Sequence, residues 1–241
     1  AWLFGAKYVL AREAVSLRAD GPHRIITLSD DTEIRARSVL ISSGAAYRRL
    51  NIPSLDRFSG AGVYYIATSM TKLYKDQDVL VAGGGNSAGQ AVVHLARHAR
   101  RVIHLVRGDS LKDSMSEYLI QDISRQPNVE VRLQSEPIEG RGGSQLEEVV
   151  VRCNPTGETE VIPTAAFFVL IGAMPNTDWL SDCVQRDDHG FILTGRDVAT
   201  NGHYPRMRFE TSMPGVFAVG DVRHASVKRV ASAVGEGSVA I

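Results

Sequence analysis

The chain has 241 residues carrying 27 basic and 27 acidic side chains, so its formal net charge is zero, and apolar residues make up 44% of it. That balance suits one large globular domain or two smaller ones, and it gives no reason to expect nucleic acid or an anionic membrane as a partner. The longest apolar stretch, Ala165 to Met174, is far shorter than the roughly 20 residues a membrane-spanning helix needs.

The chain starts at Ala1, already inside a patterned segment, and stops at Ile241 in an apolar, helix-like run, so a fragment of a longer protein is expected. Lys7 interrupts the apolar opening and no basic leader precedes it, which argues against a signal peptide. Residues 1–65 read as β-rich, with strands expected at Lys7–Leu17, His23–Leu28 and Glu33–Ile41. Ala19-Asp20-Gly21-Pro22 and Ser29-Asp30-Asp31 punctuate them, and the loose period of two suits a half-buried antiparallel sheet.

From about residue 78 the pattern changes. Val79-Leu80-Val81-Ala82 is a short apolar strand, followed by a glycine turn and then a helix over Ser87–Ala99 with Ala91, Val92, Leu95, Ala96 and Ala99 on one face. Val102–Val106 reads as a second buried strand. Lys112–Arg125 reads as a helix capped by Asp113 or Ser114, with Met115, Leu119 and Ile123 on its apolar face. Strands near Val129–Leu133, Leu146–Arg152 and Phe167–Ile171 follow, with Gly140-Arg141-Gly142-Gly143 as a hairpin tip. Strand, helix and strand at this spacing imply βαβ units in a parallel sheet.

The most informative segment is VLVAGGGNSAG, residues 79–89. Gly83, Gly85 and Ala88 fit G-x-G-x-x-A after a strand and at the start of a helix, with Gly84, Asn86 and Ser87 completing the turn. Glycine lets the backbone approach a pyrophosphate, and the helix N-terminus offers free N–H groups to it. An NAD site usually carries an acidic residue at the end of the next strand. Here that place holds Arg107, with Lys112 shortly after, and cations suit the additional phosphate of NADPH. Gly85-Asn86-Ser87-Ala88-Gly89 also matches the G-x-S-x-G nucleophile elbow of α/β-hydrolases, with Ser87 as nucleophile, Asp178, Asp182 or Asp197 and His203 or His224 downstream. That alternative lacks an upstream His-Gly-Gly oxyanion loop.

Four stretches together resemble the thioredoxin reductase branch of the two-dinucleotide-binding flavoproteins. These are LISSGAAYRRLNIP (40–53), the 79–89 turn, LIGAMPNT (170–177), and PGVFAVGDV (214–222) followed by KRVASAVGEGSVA (228–240). The resemblance covers nearly the whole chain in the right order. It implies an α/β fold of two Rossmann-like dinucleotide-binding domains, an FAD domain with an NAD(P)H domain inserted. FAD would be bound by residues 1–65 and 173–241, and NADPH by 66–172. The FAD domain is expected to be truncated at its N-terminus, because the family's first G-x-G-x-x-G is absent and residue 1 lies beside the helix ending in Phe4-Gly5-Ala6.

By the same resemblance Asp221, after Gly220, would bind the ribityl chain of FAD. A helix starting near Val227 would bring Lys228, Arg229 and Val230 to the flavin ring, and Gly44 and Gly172 join the cofactor-binding set. The family's NADP-binding arginines fall on Arg107, Gly108 and Lys112, so one cation is lost and another becomes lysine. The family's C-A-T-C dithiol falls on Ile66-Ala67-Thr68-Ser69, where both sulfurs are missing. Thiol–disulfide exchange needs a thiolate and a resolving thiol, which Ile66 and Ser69 cannot supply. Cys153 and Cys183 lie elsewhere, form neither a disulfide framework nor a metal-ligand spacing, and point to a reducing, cytoplasmic setting.

The expected activity is an NADPH-dependent flavin oxidoreductase that passes electrons to an unidentified protein or small-molecule acceptor without a dithiol. The family implies a homodimer. The alternative is a non-catalytic sensor that binds nucleotide and signals its redox state. His94 and His98, at i and i+4 on the helix after the turn, lack a third ligand and read as a surface pair. Trp2 and Trp179 read as packing residues.

Overall fold

The structure, a computed structural model, describes residues 3, 5–65, 71–180, 182–199 and 207–240. Ile66, Ala67, Thr68 and Ser69, together with Trp2, Phe4 and His203, lie outside the described residues. The elements run β1 (Ala14–Asp20), β2 (His23–Leu28), β3 (Glu33–Ala36), β4 (Val39–Ile41), β5 (Ala45–Tyr47), α1 (Pro53–Asp56), β6 (Val63–Tyr64) and β7 (Asp78–Ala82). They continue with α2 (Asn86–Ala96), β8 (Arg101–Leu105), α3 (Glu117–Ser124), β9 (Val129–Arg132), β10 (Ser135–Arg141), β11 (Glu148–Cys153) and β12 (Thr159–Pro163). β13 (Ala166–Val169), β14 (Ala173–Pro175), β15 (Val216–Ala218) and α4 (Val230–Ala240) complete the fold.

Two compact units result, one of residues 1–46 with 174–241 and the other of 47–173. In the first, β1, β2 and β3 form an antiparallel meander. β4 pairs in parallel with β15, Val39 opposite Val216 and Ile41 opposite Ala218, although their positions lie far apart in the chain. Leu17, Ile41, Leu180, Ile192, Val216 and Val222 are the core of this unit, and Trp179 packs against it as expected.

The second unit is built on a parallel five-stranded sheet, ordered β6-β13-β7-β8-β9. Its strands are continuous apolar runs because both faces are covered. Leu80, Ile103, Leu105 and Phe167 on one face pack against Val149, Val151 and Ile162 of the antiparallel sheet β10-β11-β12, and against Leu55 and Phe58. Val79, Val81, Val102 and Phe168 on the other face meet Val92 and Leu95 of α2 and Leu119 and Ile123 of α3. This unit begins at Tyr47, earlier than the boundary expected at 65/66, because β6 pairs with β13 and Leu55 is fully buried in its core.

Several expected elements change extent. The first strand starts at Ala14 rather than Lys7, and the Glu33–Ile41 run breaks at Arg37-Ser38 into β3 and β4. The helix expected over Lys112–Arg125 spans only Glu117–Ser124, with Ser116 at its N-cap position instead of Asp113 or Ser114. Residues 114–116 are held instead by the glycine turn, through bonds described below. β10 and β12 were not expected, since SEPIEGR and TEVIP carry too many polar residues to read as strands.

Truncating Leu55 to alanine is expected to cost about 2–5 kcal/mol by opening a cavity between α1 and β10. Urea unfolding of Leu55→Ala with an unchanged m-value would register it. His104 adds a pH dependence. It is fully buried on β8, and burial pushes its pKa below the ordinary 6.5, only partly offset by its bond to the Gly83 carbonyl. An imidazole kept neutral in the fold but protonated in the unfolded chain stabilises fully above pH 6.5 and progressively less as pH falls below it. Unfolding titrations should show that loss in the wild type, and His104→Gln, which does not titrate, should lose that part of the slope.

Candidate functional site

The expected site residues fall into two groups, one in each unit. In the second unit, the chain leaves β7 at Gly83 with φ +140°, a conformation open to glycine, and a Cβ there would lie 2.2 Å from the Leu170 carbonyl oxygen. Gly83 is therefore required by backbone packing. At Gly84 a Cβ would approach Ser114 Oγ to 3.2 Å. Gly85 differs: φ is −91° and the nearest atom to a Cβ would be 3.8 Å away, an ordinary contact. Among the described residues no neighbour demands a glycine there.

Gly85 is the N-cap of α2 and no side chain caps it. The first helical bond runs from Gly89 N–H to the Gly85 carbonyl at 3.1 Å, which leaves the preceding amides without intrahelical acceptors. No acidic residue lies in the first turn, so the positive end of the helix is not neutralised from within. Asn86 uses its side chain elsewhere: its Oδ1 accepts the Ser116 N–H at 2.7 Å. Ser114 Oγ donates to the Gly84 carbonyl at 3.0 Å. These two bonds hold residues 114–116 against the turn and explain why α3 begins late. The sequence hinted at neither partner, since serines in a polar stretch carry no periodic signal.

The side chains of Arg107 and Lys112 are both exposed, with no hydrogen-bond or ion-pair partner among the described residues. The end of β8 beside them is fastened by Val106 N–H to the Arg132 carbonyl and by Gln134 N–H to the Gly108 carbonyl, each at 2.9 Å. Asp109 and Asp113 share this exposed segment. Ser87 lies at the second position of α2 and is not among the residues of positive φ. It lacks the strained turn of a nucleophile elbow. His224 pairs with Asp187, its Nδ1 2.6 Å from Oδ2. Among the described residues no base is hydrogen-bonded to the Ser87 hydroxyl, the contact the hydrolase alternative needs first.

His94 and His98 stack edge to face with ring centroids 5.9 Å apart, and among the described residues no cluster fit for a metal ion exists. Cys153 and Cys183 are free and half-buried, and burial pushes the Cys183 thiol up. Gly172 has φ +100°, and its carbonyl accepts the Arg48 N–H at 3.0 Å.

In the first unit, β15 runs into a short 3₁₀ turn, Gly220–Val222, which carries the half-buried Asp221. Gly220 has φ +74° and donates its N–H to Glu236 Oε2 at 2.7 Å. Arg223 grips the same carboxylate through Nη2 at 2.5 Å and Nε at 3.2 Å. Burial works to raise the Glu236 carboxyl, yet these bonds and the Arg223 charge hold it below the usual range. Asp187 follows the same logic: burial opposes ionisation, while His224 and the Phe191 and His189 amides outweigh it.

Lys228 lies 4.0 Å from the centre of the Phe191 ring, and burial lowers its pKa against the pull of Asp221 and Asp187. Arg229 Nη1 donates to the Lys228 carbonyl at 2.9 Å. α4 begins at Val230, later than the Val227 expected, and none of its residues is buried. Gly44, at φ +69°, accepts the Asn176 N–H at 3.0 Å, and Ser43 and Asn176 exchange two further bonds of 2.9 Å. The Arg223–Glu236 and His224–Asp187 pairs are not legible in the sequence, because nothing in their spacing marks them as partners.

A family profile described as pyridine nucleotide-disulphide oxidoreductase matches residues 4–237. The chain is 32% identical over 214 residues to the F component of the alkyl hydroperoxide reductase of Staphylococcus epidermidis, covering 88% of this chain and 39% of that protein. It therefore spans about two fifths of the length of that relative. It is 31% identical over 243 residues to a thioredoxin reductase of Peptoclostridium acidaminophilum, covering 98% of this chain and 72% of that protein. The crystal structure of a thioredoxin reductase from Streptococcus pyogenes superposes with a TM-score of 0.74 at 28% identity, covering 95% of this chain and 71% of the other. The resemblance carried by the four stretches and the expected Rossmann-like α/β fold are both borne out, and the chain belongs to the pyridine nucleotide-disulphide oxidoreductase family, on its thioredoxin reductase-like side.

Proposed function

We propose that the chain provides the nucleotide-handling core of an FAD-dependent NADPH oxidoreductase, with residues 47–173 receiving NADPH and residues 1–46 and 174–241 receiving FAD. The observation that carries this is the glycine turn. Gly85 has room that no protein atom requires, uncapped amides stand beside it at the start of α2, and two exposed cations, unpaired among the described residues, follow the end of the next strand. That set fits a pyrophosphate and a ribose phosphate. Hydride transfer from nicotinamide to flavin is the chemistry the bound cofactors supply. The chain's residues bind and orient them.

Gly83, Gly84, Gly85, Asn86, Ser87 and Ala88 form the pyrophosphate cradle in this reading, and Arg107 and Lys112 take the ribose phosphate. Asp221, on a turn pinned by Glu236, would hold the ribityl chain, with Lys228, Arg229 and Val230 toward the flavin ring and Gly44 and Gly172 at the chain's crossings between the two units. Ile66 and Ser69 supply no thiol pair, so electrons leave the reduced flavin for another protein or small-molecule acceptor. We take the protein to work as a homodimer in the cytoplasm, where its two thiols stay reduced.

Two glycine variants separate fold from function. Gly83→Ala should destabilise the protein by about 2–4 kcal/mol in chemical denaturation, because strain and a backbone clash coincide. Gly85→Ala should leave stability within about 0.5 kcal/mol. Its NADPH affinity in a titration should nevertheless fall.

The deciding experiment adds NADPH, then NADH, anaerobically to the flavin-loaded full-length protein and follows bleaching of the oxidised flavin. Rapid bleaching by NADPH is expected. Arg107→Ala should raise the NADPH concentration needed by roughly 10–100-fold, the worth of a charge-assisted bond, and leave NADH almost unaffected. A bound flavin that stays oxidised would leave a nucleotide-binding sensor as the better account, and equal efficiency with both nucleotides would overturn the NADPH preference.

A further inference from the structure

The strand β8 has one residue at odds with its surroundings. In Arg101-Val-Ile-His-Leu105 the neighbours are apolar and buried, yet His104 sits among them with no exposed surface. Its Nε2 lies 2.7 Å from the Gly83 carbonyl oxygen. A carbonyl can only accept, so Nε2 carries the hydrogen and the ring is the neutral Nε2–H tautomer. Nδ1 is then a bare acceptor, and it is buried without a partner among the described residues. A polar ring that leaves half its hydrogen-bonding capacity unused in a core costs stability, and the compensating gain lies at the other nitrogen.

That gain follows from peptide geometry. The Gly83 carbonyl and the Gly84 N–H belong to one planar unit and point in opposite directions. A carbonyl held inward by His104 therefore turns the Gly84 N–H away from the core. Among the described residues no acceptor takes that N–H. Glycine on both sides of this peptide lets it rotate with little steric resistance. The reversed orientation would present a carbonyl oxygen, and so a repulsive partial charge, to an anion at the turn.

We propose that His104 is a positioning residue of the dinucleotide turn: its Nε2–H fixes the Gly83–Gly84 peptide with the amide outward, as a donor to the pyrophosphate of the nucleotide. The inference rests on the reading of the turn as the NADPH site. It assigns a role to a side chain that has no exposed surface.

The test uses three variants of the full-length protein. Glutamine places an amide N–H at the reach of Nε2, asparagine places it too short, and leucine fills the space with no donor. Each is titrated with NADPH and with adenosine 2′-monophosphate, which has no pyrophosphate, and assayed for NADPH-driven flavin reduction. His104→Leu and His104→Asn should weaken NADPH about tenfold, the loss of one hydrogen bond to the ligand. Their affinity for adenosine 2′-monophosphate and their rate at saturating NADPH should stay at the wild-type level. His104→Gln should restore NADPH affinity.

The proposal is overturned if leucine and asparagine bind NADPH as the wild type does, or if both ligands weaken in parallel, which marks a general loss of shape. A glutamine variant no better than asparagine overturns it as well. Should leucine prevent folding, the glutamine–asparagine comparison decides alone. A wild type that binds no NADPH would instead remove the nucleotide reading of the turn, and this role with it.

Discussion

The close approach of two backbones at the end of the parallel sheet governs the second unit. β7 and β13 run side by side and leave the sheet together, and Gly83 passes the Leu170 carbonyl with no room for a side chain. Because the path of the chain is fixed there, the start of α2 is fixed too, and with it the direction of the uncapped amides. The stretch before α3 is drawn in as a brace through Ser114 and Ser116. A turn shaped by excluded volume in this way needs no charge to hold it and should be insensitive to salt.

The turn before α4 in the first unit is held by a different kind of force. Gly220 is fixed by the Glu236 carboxylate, which is itself fixed by Arg223, and both side chains of this ion pair are largely buried. A buried pair gains little over an apolar substitute, but removing one partner strands the other. The two units thus rely on different physics for the turns that precede α2 and α4.

Much of this was legible in the sequence where a single physical requirement dominates a segment. β2 falls on His23–Leu28 as expected, and the β7–α2 junction announces itself because three adjacent glycines have few other uses after an apolar strand. Legibility fails where partners are distant or where one residue serves two demands. Residues 112–116 have a helical pattern, but the Ser114 hydroxyl and the Ser116 N–H are committed to the glycine turn. β10 and β12 are polar strands whose reason to pair is each other's presence around β11, which no local window shows. His104 leaves no mark in the sequence, because an apolar run absorbs one polar letter without changing its period. Its meaning depends on Gly83, a residue at the end of the neighbouring strand.

The paired strands β5 and β14 have a bearing on how the chain folds. They hold residues 45–47 beside 173–175, so the second unit enters and leaves at neighbouring points. The first unit, by contrast, is split across that insertion, and its β4–β15 pairing joins Val39 to Val216. Unaided, closing so long a loop would carry a large entropic cost, which grows as the logarithm of its length. Once the contiguous unit has folded, that loop is already closed and the distant strands are delivered to each other. The inserted unit thereby acts as an internal scaffold for the one that surrounds it, and an intermediate with residues 47–173 formed and both flanking segments still open is the expected order of assembly.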